Sequence, residues 1–360
     1  MKFRTFGLFA AAVAVMALSF SCKEKETTKE YMDGDLLFKG EMPSYVRAGD
    51  VYEFTVGGVT APDGTKVGYY ITEPVNGKKD TLDNNNLRFR LEIPDTLGYF
   101  FVSAAAYAVE SSDKYYATYA YRYFTVVSDD PVKGSLSGIS KRPGDVSVSV
   151  DGRYYSANKI GDQYWFNSNL AYIRRASDGS ESFGHSFEDS PAMQNIFGAF
   201  YTWEEAKNAC PDGWHLPTDR EWVEMLKALG APADLKPLET SPVGAGKLMA
   251  PVQFNGNNMW DYYRDVTIKD EAIGAIPAGY ATISDGAYKF YGKNNYAVFW
   301  TIDEHEGMGV YRYIFAQKDN VYVATADKKA FAANVRCVKR MMRERWKQGE
   351  FPEKESSVLH

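Results

Sequence analysis

Three cysteines, at positions 22, 210 and 337, constrain this chain more tightly than any other residues. Cys22 ends a segment that does not read as part of a folded domain. Lys2 and Arg4 make a short basic start, and an apolar run rich in Ala, Val, Leu and Phe extends from about Phe6 to Phe20. A membrane-crossing helix needs about 20 apolar residues, so this run suits a secretory signal segment better. The stretch Leu18-Ser19-Phe20-Ser21 is expected to lie extended in a signal peptidase, leaving the Cys22 thiol to take a thioether-linked diacylglycerol. Setting Cys22 aside leaves a pair. An exported pair meets an oxidising compartment, where a disulfide is the default and a two-thiolate metal site is the competing reading. In the chain-entropy model a bridge closing so long a loop contributes on the order of 4–5 kcal/mol.

The segment ending at Cys22 resembles the bacterial lipobox, with Phe20 in place of the usual small residue. That resemblance implies an acylated lipoprotein anchored to a membrane, at the outer membrane or cell surface. Residues 1–21 are then the signal peptide and residues 22–34 a flexible tether. Lys23 to Glu30 reads KEKETTKE, too polar to bury a core, and resembles the surface-export signal of Bacteroidetes lipoproteins. The 360-residue length leaves room for two domains. A net charge of −6 offers no basic excess to neutralise phosphates, so no nucleic-acid partner is expected. The basic stretch Lys339 to Lys347 reads as the start of a solvated helix leading into a charged tail at 341–360.

Residues 35–128 read as an all-β, immunoglobulin-like sandwich. Val51 to Val56 and Leu87 to Ile93 alternate apolar and polar residues, the period of a half-buried strand. Tyr99 to Val102 and Tyr121 to Val127 continue the series. Gly57-Gly58, Pro62-Asp63-Gly64, Asn76-Gly77 and Asp83 to Asn86 supply turns between them. With neither His nor Cys, this domain reads as a spacer. Residues 129–145, rich in Asp, Gly, Ser and Pro, read as a linker.

The second domain, 146–340, opens with Val146 to Val150 and a turn at Asp151-Gly152. Gly161-Asp162 marks a tight hairpin before Tyr164-Trp165-Phe166. Thr202 is a helix N-cap followed by Glu204 and Glu205, and Trp203, Ala206 and Cys210 share a face. Pro211-Asp212-Gly213 stops that helix. Thr218-Asp219-Arg220-Glu221 is a capping box for a second helix, with Trp222, Met225, Leu226 and Leu229 as its buried stripe and Gly230 as its end.

Four motifs in order carry a resemblance: Ile160-Gly161-Asp162-Gln163 with Trp165; Tyr201-Thr202-Trp203 with Ala206; Cys210-Pro211 through Gly213-Trp214-His215-Leu216-Pro217-Thr218-Asp219 to Glu221-Trp222; and Asn334-Val335-Arg336-Cys337-Val338-Lys339. Together they resemble the Fibrobacter succinogenes major paralogous domain. Gly244 to Leu248, Ile276 to Tyr280 and Val298 to Thr301 look like its inner repeats. Phe166-Asn167-Ser168, Thr301-Ile302-Asp303 and Asn195 to Ala199 depart from the family's usual residues. The resemblance implies an α+β, C-type-lectin-like fold related to the formylglycine-generating enzymes, and a Cys210–Cys337 disulfide.

A copper enzyme of that related group needs two free thiolates, which a Cys210–Cys337 bridge removes. The four His do not fall at zinc-ligand spacing, His215 reads as a loop-ordering residue, and the acidic turn around His305 reads as solvated. No catalytic residue, metal or cofactor is expected. The binding candidate is the loop from Asn255 to Tyr263, where Asn257, Asn258, Trp260 and Tyr262 combine amides with rings, as sugar recognition requires. The expected role is binding or adhesion, with a glycan or an envelope protein as ligand. The rivals are a structural surface or pilus-associated component and, less favoured, the enzyme.

Overall fold

The computed structural model describes residues 28–139, 146–260 and 266–340. The signal segment, Cys22, Tyr262 and the 341–360 tail lie outside them. Among the described residues no helix is long and apolar enough to cross a membrane.

The N-terminal part is built from two sheets over one core. Strands β1 (Leu37–Lys39), β3 (Val51–Gly57) and β6 (Arg88–Glu92) form one, in the order β1-β3-β6. The other runs β2-β8-β7-β4-β5, with β2 Tyr45–Arg47, β4 Val67–Thr72, β5 Lys79–Thr81, β7 Gly98–Ala108 and β8 Thr118–Val127. Alternation decides the inward faces. Phe54, Val56 and Leu91 from the first sheet meet Ile71, Val102, Ala104, Ala106, Phe124 and Val126 from the second. β7 runs past the expected end at Val102, because Ala104 and Ala106 are small enough to sit in the sheet-to-sheet core. The tether is also shorter than expected. Glu30 bridges Tyr115, Asp33 bridges Thr60, and Met32 is buried in the sandwich core, so residues 30–34 belong to the folded domain.

The linker is part of the structure as well. Leu136–Ser137 pairs antiparallel with Gln253–Phe254 of the second domain, and Leu136 and Ile139 pack on that domain's core. Its backbone groups are satisfied by a ladder, which a free linker would leave to water. The two domains also touch directly. The Tyr45 ring meets Phe187 and Phe254 edge-on at 5.7 and 6.2 Å. Lys293 donates to the Tyr45 hydroxyl at 2.8 Å, and Asn255 donates to the Val126 carbonyl at 3.0 Å. Burial pushes the Lys293 ammonium below its ordinary pKa against the opposing pull of Glu188, the signature of a desolvated junction.

The second domain holds three main sheets. Val146–Val150, Arg153–Ile160, Gln163–Phe166 and Val338–Arg340 form the first, which closes the start of the domain onto its end. Tyr201–Thr202, Phe331–Ala333, Tyr280–Ser284 and Ala287–Tyr291 form the second, and the long hairpin Tyr296–His305 and Met308–Phe315 with Val321–Ala326 forms the third. The expected turns are in place. Asp151 and Gly152 both take positive φ (48° and 75°), and Gly161 takes φ 59° between Ile160 and Gln163. Trp165, Trp222 and Trp300 fill the interior.

Both N-caps are present. Thr202 and Thr218 each accept from the N–H three residues on, while Glu205 and Glu221 reach back to the caps. The second helix, Asp219–Ala228, follows the expected stripe. The first is shorter than expected, Trp203–Ala206 only. Beyond it Asn208 and Ala209 bond three residues back rather than four, tightening the chain into a turn that delivers Cys210.

Candidate functional site

The site is organised by the Asn334–Cys337 segment. Val335 and Cys337 are buried in one core cluster, and the Cys337 sulfur bonds that of Cys210 across a sequence separation of 127. Asn334 and Arg336 go the other way. Asn334 donates to the Ala199 carbonyl at 2.9 Å. Arg336 is fully buried and gives its donors to the Asn169 side chain (2.8 Å) and to the carbonyls of Phe166 (3.2 Å), Ile273 and Gly274 (3.2 Å). Burial lowers the Arg336 pKa to about 9, partly countered by Asp270. A buried cation is tolerated here because carbonyl oxygens surround it. Its service is to pin three loops at one point.

Those loops wall a cleft of about 410 Å³. Four amides line it, Asn158, Asn167, Asn169 and Asn195, with Ser156 and Ser168 beside them and the buried Asp270 and Arg336 in its wall. Asn158 and Asn169 are held, donating to the Ala272 and Phe197 carbonyls. Arg153 at the mouth donates to the Asn195 side chain and carbonyl, and Asn195 donates to Asp129 of the linker at 2.6 Å. Pro131, Leu136 and Ile139 complete the wall, so the linker finishes the site. Tyr154 stands at the rim, 79% exposed. Gly198 lies in the left-handed region (φ 79°), where an added Cβ would sit 2.5 Å from that of Asn169, so a side chain there would close the cleft. Size and lining suit a small neutral, hydroxyl-bearing ligand.

The residues expected to bind from sequence are placed differently. Asn257 and Asn258 are exposed on a short strand paired with Gln253–Phe254. Trp260 is buried, its indole N–H donating to the Ala250 carbonyl at 2.9 Å, and with Asn258 it lines a separate depression of about 360 Å³ beside Val266 to Ile268. Tyr262 lies outside the described residues. The cleft with the recurring amides lies elsewhere in the domain, and its readable signals were the recurrence of Asn at 158, 167 and 169 and the Asn334-Val335-Arg336 segment.

His215 orders its loop as expected, with Nε2 3.0 and 3.1 Å from the two Glu221 oxygens. Burial by itself pushes the Glu221 carboxyl up. His215, the Thr218 N–H and Arg340 outweigh it and bring the pKa down to about 2. A carboxyl lowered in the folded state stabilises above its ordinary value near 4.3 and loses that contribution as pH falls towards 2. Between pH 6 and 2.5, wild type is expected to lose on the order of 2 kcal/mol more than Glu221→Gln. Urea midpoints of the two proteins at both pH values measure this, and equal losses would refute the assignment.

Glu181, His185 and Asp189 also converge, with ligand atoms within 4.8 Å of one another. Glu181 is already engaged by the Ser186 N–H and hydroxyl and by Arg175, and His185 stacks on Tyr288 at 3.8 Å, which explains the group without an ion.

The Fibrobacter succinogenes major domain model matches residues 159–339, half of the chain. This chain belongs to the Fibrobacter succinogenes major domain family. No curated protein and no solved structure matches it. In family terms, the cystine, both capped helices and the Arg336 segment fall inside the matched span, and so do most of the residues lining the cleft. The sheet reaches back beyond the match to Val146, and the linker and sandwich lie outside it.

Proposed function

We propose that the protein is a lipid-anchored binding protein of the cell envelope. It is held through Cys22 at the outer membrane or cell surface, with an immunoglobulin-like sandwich carrying a C-type-lectin-like head. The observation that carries the binding role is the amide-lined cleft beside Arg336. Asn167 and Ser168 line it without a protein partner for their side chains among the described residues, Asn158 and Asn169 are rigidly held, and Tyr154 offers an exposed ring at the mouth. Amides that can both donate and accept, next to an aromatic ring, match a neutral sugar, whose hydroxyls also do both. Both sulfurs that a thiolate-copper enzyme would use are joined to each other.

A glycan array probed with the mature chain tests the reading. Binding to a neutral glycan is expected, weakened at least tenfold in Asn167→Ala and in Tyr154→Ala. Silence across the array, with one envelope protein recovered by pull-down, would replace the sugar reading with that of a structural surface component.

A further inference from the structure

The sandwich carries a feature that a passive spacer does not need. On β7 and β8 the side chains pointing away from the core include Tyr99, Phe101, Tyr119, Tyr121 and Tyr123. They are 69, 47, 52, 51 and 52% exposed. The register brings them together, since Phe101 faces Tyr123 and Ser103 faces Tyr121 across the ladder. Tyr99 and Tyr123 lie 5.8 Å apart with planes within 8°, and Tyr121 and Tyr123 lie 6.2 Å apart within 19°. Beside them Ser103 and Ala105 are buried, and Tyr119 hydrogen-bonds Tyr70 of β4, the two flanking Ala105 in the ladder. Contiguous exposed aromatic surface of this kind marks an interaction site.

We infer that this face is a second binding surface, a rack of rings that takes an extended, uncharged polysaccharide. Three observations select that occupant. First, the outward residues of β7 and β8 from Tyr99 to Thr125 are all neutral, while Arg122 points inward and donates to the Met42 carbonyl. These two strands offer a charged partner no counter-charge, Lys79 beside them already sits over the Tyr70 ring at 4.7 Å, and the chain's net charge of −6 repels an acidic polymer. Second, the rings of Tyr99, Tyr121 and Tyr123 stand in a row with near-parallel planes, a repeat that a chain of pyranose rings matches. Third, the same face continues into the domain junction. Tyr45 of β2, in register with Thr125, and Val127 at the end of β8 pack in the core of the head. A chain-like ligand laid along the rack therefore leads towards the head. The chemistry fits. The C–H face of a pyranose is apolar and packs on a ring, while its hydroxyls remain in water or meet phenol oxygens.

This surface is independent of the head cleft, and the test separates the two. The mature chain is run in native gels containing glycogen, galactomannan, xyloglucan or mixed-linkage β-glucan, with polygalacturonate and dextran sulfate as charged comparators. At least one neutral polymer is expected to retard it, and the charged ones not. Tyr121→Thr/Tyr123→Thr keeps strand-forming residues on the sheet, and is expected to weaken retardation at least tenfold. Retardation lost in Tyr154→Ala and kept in the rack variants would assign the polymer to the head cleft and overturn the inference. If melting curves show the double variant misfolded, Tyr99→Thr serves in its place. The inference is overturned if no neutral polymer retards the protein, or if the rack variants run like wild type. It is also overturned if sedimentation shows a wild-type dimer that these variants make monomeric, which would assign the face to self-contact.

Discussion

Replacing both Cys210 and Cys337 with alanine is expected to cost about 4 kcal/mol of stability. The bridge spans a sequence separation of 127, so it removes a large share of the unfolded chain's freedom. Chain-entropy arithmetic for a loop of roughly 100 residues gives about 4.7 kcal/mol, and measured values fall somewhat below it. The bridge also joins the turn after Trp203–Ala206 to the segment that carries Arg336, so its loss should loosen the cleft. Urea denaturation of the variant, and of wild type with and without reductant, measures the effect. Reduced wild type should match the double variant. Unchanged midpoints under oxidising conditions would show that the bridge does not form in solution.

Arg312→Met is expected to cost about 3–5 kcal/mol, because it strands a carboxylate inside the protein. Arg312 has no exposed side-chain surface and Asp219 only 2%. The guanidinium forks onto Asp219, with Nε on one oxygen at 2.6 Å and an η nitrogen on the other at 2.7 Å, and also donates to the Glu239 carbonyl at 2.7 Å. Asp219 additionally accepts the Leu238 N–H at 2.6 Å. The pair therefore ties the first turn of the second helix to Met308–Phe315, the middle strand of the third sheet, and to the loop at 238–239. Asp219→Asn should cost less, since an amide keeps the shape and can still accept one bond. A double-mutant cycle with Asp219→Asn and Arg312→Met is expected to show a double loss well short of the sum. Strict additivity would mean that the two side chains do not act as a unit.

Local signals were readable where the physics is local. The capping boxes at Thr202 and Thr218 follow from hydroxyl and carboxylate spacing within four residues. The hairpin at Asp151-Gly152 follows from two residues that accept positive φ. The strands around Val51 and Leu87 follow from period-two burial. Reading failed where distant segments decide. Trp260 looked like a displayed ring because its neighbours are polar, yet the Ala250 carbonyl and the surrounding core claim it. The linker looked free because it is rich in Gly, Ser and Asp, yet its backbone found a strand partner more than a hundred residues away.

The sequence by itself determined the family, the two cysteines that pair, and both helix starts. Each of these rests on short-range spacing or on residue type. Only the tertiary structure decided where the ligand-facing surfaces lie. The cleft needs Arg336 to gather carbonyls from segments about 60 and 170 residues away, and the rack needs the β7–β8 register to line up rings from two strands. A buried charge must collect whatever acceptors the fold brings to it, and a row of rings exists only once the ladder is in register, so neither is written in any one stretch of chain.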